Sequence, residues 1–258
     1  MGAQLTRVGD TIGVITINSG KVNALSEELI EEIAEAFRAV ENSAVRVVVI
    51  RAAPGVKIFS AGHAVNELPT NGRDPLTYND PLRRIVRAIE LCTQPVIAMV
   101  EGSVWGGACE LVLACDIVIA AEDSTFAMTP AKLGVPYNIS GALNLMKVTG
   151  THLLKEMLFT ADPLPAKRME HCGVINHVCS RQELEPFSMD LARRIARNSP
   201  LVNRVLKEEI RVLANAQPLI PETYERIQAL RREVYDSEDY QEGIRAFFEK
   251  RPAAFHGR

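Results

Sequence analysis

The sequence predicts an α/β fold: a largely parallel β-sheet covered by helices, followed by a mainly helical C-terminal third. Three observations carry this. Short β-branched runs alternate with helix-period segments through the first half of the 258 residues, the pattern made by right-handed crossovers between parallel strands. The strand-like runs are continuously apolar, as strands covered on both faces are. Beyond about Ser140 strand patterns become rare, with only Val174 to Val178 plausible, and helical patterns dominate.

Taken in order, Ile12 to Ile17 (IGVITI) is a strand. Ser26 caps a helix that starts on acidic residues and runs to about Glu41. Leu29, Ile30, Ile33, Ala34 and Phe37 recur there at helical spacing and mark its buried face. Val45 to Ile50 (VRVVVI) is the next strand, Pro81 to Leu91 a helix, and Val96 to Val100 (VIAMV) a further strand. A turn at Gly106-Gly107 opens an apolar helix to about Ala114, and the strand Ile117 to Ala121 follows. Helical patterns then cover Leu184 to Arg197, Leu201 to Ala214, Tyr224 to Tyr235 and Tyr240 to Lys250. Pro69 to Pro81, rich in Pro, Gly and Asn, is predicted as an exposed loop. No internal repeat or low-complexity linker is present.

Composition narrows the function. A chain 47% hydrophobic and 24% charged is globular rather than disordered. A net charge of -3 offers no general attraction to nucleic acid or an anionic membrane. No apolar stretch reaches the ~18 to 20 residues of a membrane span, and Met1 to Asp10 lacks the apolar core of a signal peptide. Five cysteines in apolar surroundings read as reduced thiols of a cytoplasmic protein.

Several chemistries lose their usual support, because G-x-G-x-x-G after a strand, G-x-x-x-x-G-K-[ST], H-E-x-x-H and G-x-S-x-G are all missing. His171, Cys172, His177 and Cys179 lie close together, but not as paired ligands at knuckle-like spacing, so no metal site is expected.

The informative features follow two successive strands: Phe59-Ser60-Ala61-Gly62-His63, and Glu101-Gly102-Ser103-Val104-Trp105-Gly106-Gly107. Loops at the carboxyl ends of neighbouring parallel strands face one crevice. Gly106-Gly107 also opens a helix, whose first N–H groups lack internal partners and lie at the positive dipole end. Two N–H groups from such loops can converge on a developing oxyanion; tight turns alone are the plainer reading.

Those residues settle the choice by resemblance. F-S-A-G-H, followed by P-V-I-A-M-V-E-G-S-V-W-G-G-A-C-E-L-V-L-A-C-D-I-V-I-A, resembles the crotonase (enoyl-CoA hydratase/isomerase) superfamily, over nearly the whole chain. The resemblance implies a crotonase-like ββα spiral core, placed at residues 1–195, and a helical C-terminal trimerisation region at residues 196–258. It also implies a homotrimer or homohexamer, and an acyl-CoA thioester whose oxygen is held by the backbone N–H groups of His63 and Gly107. No cofactor beyond the coenzyme A of the substrate is implied, and no nucleic-acid or membrane partner. Ala61, Ala64, Val65, Asn66 and Glu67 are expected on the substrate channel. Ala64 stands where the family usually has Asp, which is expected to loosen that loop. The His63 imidazole is either a substrate contact or a packing group. A non-catalytic, RNA-binding relative is opposed by the net charge.

Hydratases of this family flank the substrate with two glutamates. Glu110 matches the first, and the second position holds Pro130, which has no acid or base. Efficient hydration is therefore not expected; the alternative is an isomerase or hydratase using Glu110 as its single acid/base. Decarboxylation of methylmalonyl-CoA or malonyl-CoA, to propionyl-CoA or acetyl-CoA and CO₂, needs no initiating base. It needs an oriented C–CO₂ bond and a stabilised enolate. The stretches M-T-P, L-G-V-P-Y-N and V-Y-D-S-E-D-Y-Q-E-G resemble the decarboxylating branch of the family. This resemblance makes Tyr137 the group that orients the leaving carboxylate, with Glu110 a candidate donor of the final proton. Thr129 is either an acyl contact or a turn-capping hydroxyl. Lys250 is either the family's CoA-phosphate lysine or a helix-end charge.

Overall fold

A computed structural model of the chain describes residues 2–41, 43–68, 78–215 and 221–255. From the N-terminus, β1 (Ala3–Val8) and β2 (Ile12–Ile17) form an antiparallel hairpin, and α1 (Glu27–Glu41) follows. One unit then recurs: a long strand, a short strand, a helix. Its copies are β3 (Val47–Ala52), β4 (Ile58–Ser60), α2 (Pro81–Leu91); β5 (Val96–Val100), β6 (Ser103–Trp105), α3 (Gly107–Leu113); and β7 (Ile117–Ala121), β8 (Thr125–Ala127), α4 (Ile139–Thr160). β9 (Leu164–Pro165), α5 (Ala166–His171) and β10 (His177–Cys179) complete the sheets. The helices α6 (Arg181–Arg197), α7 (Pro200–Ala214), α8 (Pro221–Tyr235) and α9 (Glu238–Glu249) come last.

The long strands form a sheet of order β1-β2-β3-β5-β7-β10, parallel from β2 onward. The short ones form a second sheet, β4-β6-β8-β9, in which β9 alone is antiparallel. The repeat is thus ββα and the chain winds as a spiral, as the family resemblance implies. Simple strand–helix alternation overlooks the second sheet, because three-residue strands are too short to show a period.

Alternation along the long strands explains why they read as uniformly apolar. Val48, Ile50, Ala98 and Val100 face α1, α2 and α3, while Val47, Val49, Ile97 and Met99 face Leu184, Met189 and Ala192 of α6. Both faces are covered. A smaller cluster of Leu68, Val135, Tyr235, Tyr240 and Ile244 fastens α8 and α9 to the segments after β4 and β8. The α7 helix buries none of its own side chains, and Leu201, Val202, Val205, Ile210 and Leu213 stay exposed.

Several sequence-level boundaries shift. The strand expected at Val45–Ile50 is Val47–Ala52, because pairing with β2 runs from Ile12↔Val47 to Ile17↔Ala52 and sets the register. The run at Val174–Val178 pairs with β7 only from His177 to Cys179; Val174 and Ile175 are buried core residues instead. β1 carries too few apolar side chains to be predicted; it is an edge strand with a mostly exposed pattern. α4 escapes a periodicity reading because Gly150 breaks it with non-helical angles (φ 69°, ψ 167°). Of the loop expected at Pro69–Pro81, residues 69–77 lie outside the described residues.

Candidate active site

β4 and β6 are neighbours in the short-strand sheet, so the segments leaving Ser60 and Trp105 run side by side. The first segment is stitched to residues 22–25. Ala61 N–H donates to Val22 O (2.8 Å), Leu25 N–H to Gly62 O (2.8 Å) and Ala64 N–H to Leu25 O (3.2 Å), while Gly62 N–H reaches Ser60 Oγ (3.2 Å). The series skips His63, whose N–H meets no acceptor among the described residues. The Leu25 contact also explains how the loop keeps its shape with buried Ala64, 5% exposed, where the family usually has Asp.

In the second segment Gly106 N–H donates to Ala127 O (2.7 Å), and Gly106 adopts φ 52°, ψ −124° as the N-cap of α3. Few residues but glycine tolerate that conformation. Gly107 is the first residue of α3, so its N–H has no intrahelical partner. The two segments touch backbone to backbone at Gly62 (φ 80°). A Cβ there would overlap the Trp105 carbonyl oxygen and lie 3.0 Å from Gly107 N. Among the described residues the N–H groups of His63 and Gly107 meet no acceptor, and they come from adjoining segments; two such donors can serve one developing oxyanion.

A cavity of about 480 Å³ opens at this junction. It brings together Ala61, His63, Val65, Gly107, Thr129 and Tyr137, with Leu82, Trp105, Pro130 and Phe247 completing an apolar wall. Lys132 borders it, but its ammonium is bonded to Ala161 O (2.8 Å).

Behind Tyr137 lies a buried polar triad. Glu110, 1% exposed, forms an ion pair with Arg83, itself 5% exposed. Its other oxygen accepts from the Tyr137 hydroxyl at 2.5 Å. Burial pushes the Tyr137 phenol well above its ordinary pKa, with Cys109 adding to the shift and Arg83 opposing it, so this hydroxyl keeps its proton. Glu110 thus has Arg83 as its ion-pair partner and Tyr137 as its hydrogen-bond donor. Asn138 caps α4 beside it, accepting from Gly141 N–H at 2.6 Å. Gly141 is small by necessity, since a Cβ would stand 2.7 Å from Glu110 Oε2 and 2.8 Å from Tyr137 Cε1.

The His63 imidazole makes two contacts at 3.3 Å: Nδ1 with Ala64 O, and Nε2 with Asp80 Oδ2. Asp80 also caps α2, its Oδ1 accepting from Leu82 N–H (2.9 Å) and Arg83 N–H (3.4 Å). Burial works against charging the imidazole, but the hydrogen bond and charge of Asp80 outweigh it, leaving the pKa above the ordinary histidine value.

Other expected residues fall elsewhere in this chain. Asn66 and Glu67 are exposed, and Glu67 Oε2 accepts from Glu27 N–H (2.9 Å) at the start of α1. Lys250 is an exposed C-cap of α9 in left-handed conformation (φ 53°), three residues beyond cavity-lining Phe247. No group of three or more His, Cys, Asp or Glu side chains converges as a metal site among the described residues. All five cysteines are free thiols. No helix among the described residues is long and apolar enough to cross a membrane. Sequence reasoning missed Asp80 and Arg83. The signals were present: Asp80-Pro81 is a strong helix start, and Arg83 sits beside the buried stripe Leu82, Ile85, Val86, Ile89.

Comparison with known proteins places the chain in a family. A model of the enoyl-CoA hydratase/isomerase family matches residues 7–258. The chain is 49% identical over 247 residues to methylmalonyl-CoA decarboxylase of Escherichia coli (strain K12), covering 95% of each chain. A solved structure of methylmalonyl-CoA decarboxylase in complex with 2-nitronate-propionyl-CoA superposes with TM-score 0.98 at 47% identity, covering 100% of this chain and 99% of that one. A second, complexed with 2S-carboxypropyl CoA, gives 0.97 at 47% identity over the same shares.

Proposed function

The chain belongs to the enoyl-CoA hydratase/isomerase family, and we propose that within it this protein decarboxylates methylmalonyl-CoA, giving propionyl-CoA and CO₂. It is a carboxy-lyase, and its substrate is an acyl-CoA. One observation carries the reading most directly: two N–H groups that meet no acceptor among the described residues adjoin an apolar cavity whose described lining holds no Asp or Glu.

The thioester oxygen sits between the N–H groups of His63 and Gly107. With the C–CO₂ bond perpendicular to the thioester plane, its electron pair enters the carbonyl π system as CO₂ departs. The enolate oxygen then carries the charge that the carboxylate gave up, and one proton taken up at carbon completes propionyl-CoA. The substrate carboxylate lies at the Tyr137 end, where Arg83 is already neutralised by Glu110. It finds no free cation to hold it there, which favours its loss as neutral CO₂. Tyr137 orients it by offering the proton that otherwise goes to Glu110. Two acceptors compete for that one proton. Glu110 thus supports Tyr137 rather than moving protons itself, and Pro130 leaves hydration without its second carboxylate.

Ala61, Val65 and Thr129 contact the acyl-pantetheine portion. No cofactor besides the substrate's own coenzyme A is required. The exposed apolar side chains of α7 support a homotrimer or homohexamer built through residues 196–258, with residues 1–195 as the spiral core and the cytoplasm as its location. Lys250 would meet CoA phosphates only in such an assembly. The test is incubation with methylmalonyl-CoA and crotonyl-CoA side by side. CO₂ release from the first without hydration of the second is expected; hydration without CO₂ release would reject the reading.

A further inference from the structure

The two contacts of the His63 ring have a consequence for its charge. Ala64 O and Asp80 Oδ2 are both acceptors. A neutral imidazole has one N–H and can satisfy only one of them; both bonds require the imidazolium, in which both nitrogens donate. Asp80 needs the cation in return, because its carboxylate side chain is only 4% exposed. Its remaining bonds are to the first N–H groups of α2, where the helix dipole also favours negative charge. Among the described residues the other charged groups around the ring are few. Glu67, on the turn after Ala64, adds a weaker pull in the same direction, and Arg83 of α2 is engaged with Glu110.

Resting on the decarboxylase reading, we propose that His63 acts as a fixed imidazolium at the oxyanion end of the cavity, and that Asp80 is the positioning residue that holds it charged. His63 lines the cavity and its side chain keeps 16% exposure against 4% for Asp80, so the imidazolium is the member of the pair nearer the substrate. In decarboxylation negative charge moves from the carboxylate to the thioester oxygen. That oxygen is held by the N–H of the same residue that carries the imidazolium. A preorganised cation at the receiving end, with a neutralised triad at the departing end, favours this movement. The effect belongs to the transition state, so it enters kcat more than KM.

The test is the pH profile of CO₂ release for wild type, Asp80→Asn and His63→Gln. Asp80→Asn keeps an oxygen to cap α2 but replaces the charge with an amide. The imidazolium is present below the His63 pKa and is lost as pH rises through it. Wild type should therefore hold its kcat above the ordinary histidine range. Asp80→Asn should lose kcat at least one pH unit earlier, a drop on the order of ten-fold at the pH where the curves differ most. His63→Gln should show no such limb. NMR titration of the His63 ring in the free protein provides the second measurement. An unchanged limb in Asp80→Asn, or a wild-type ring that titrates in the ordinary range, would overturn the proposal. If the wild type releases no CO₂, the decarboxylase reading fails, while the NMR titration still decides the charge state of His63.

Discussion

Gly62→Ala tests the proposed oxyanion hole without touching His63 or Gly107. The new methyl group would overlap the Trp105 carbonyl oxygen and stand 3.0 Å from Gly107 N. Both are backbone atoms, so no side-chain rotation relieves the contact, and the two segments must separate by on the order of 1 Å. A hydrogen bond near 2.9 Å stretched that far is no longer one, and such a misplacement costs about 10²-fold in rate. Left-handed strain at φ 80° adds roughly 1–2 kcal/mol to the folding cost. Gly9→Ala separates the two effects. It has a similar backbone angle (φ 62°) with nothing within 4 Å of the added carbon, so it carries the strain without the displacement. The assay is kcat for CO₂ release from methylmalonyl-CoA, with thermal unfolding followed in parallel. Gly62→Ala should lose about 10² to 10³ of kcat, the cost of one oxyanion donor, while Gly9→Ala keeps wild-type turnover at a similarly lowered Tm. A folded Gly62→Ala protein within a few-fold of wild type would refute the placement of the hole between these segments.

Three further outcomes follow from the site. Arg83→Met strands the buried Glu110 carboxylate and should destabilise the fold by about 3–5 kcal/mol in denaturant titration; Arg83→Met/Glu110→Gln should recover most of that loss. Tyr137→Phe removes the hydroxyl that bonds Glu110 and that is proposed to orient the substrate carboxylate, so turnover should fall about ten-fold or more, on ~1.5–3 kcal/mol for a charge-assisted hydrogen bond; unchanged turnover would remove Tyr137 from the mechanism. Ile210→Glu/Leu213→Glu places charges on the exposed apolar side of α7, and if the proposed oligomer forms there, light scattering should show a trimer or hexamer for wild type and a smaller species for the variant.

What the sequence determined is local. Continuous apolar runs marked the central strands, because both faces of β3 and β5 are buried and each run must be apolar throughout. Gly106-Gly107 marked a strand-to-helix turn, because φ 52° excludes most side chains. The order of motifs placed the family, and Pro130, with no acid or base, argued against hydration. The tertiary structure decided which groups are free to act. The short-strand sheet is invisible to periodicity, yet it is what lays Gly62 against Trp105 and sets the proposed donors, His63 and Gly107, on adjoining segments. Glu110 reads along the chain as a lone carboxylate, and the fold sets Arg83 from 27 positions earlier and Tyr137 from 27 later against it. Asp80 reads as a helix cap in sequence and becomes a partner of His63 only in three dimensions. A residue's type and backbone preference are written along the chain, but whether its lone pairs and protons are already spoken for depends on groups brought together from distant segments, and that only folding settles.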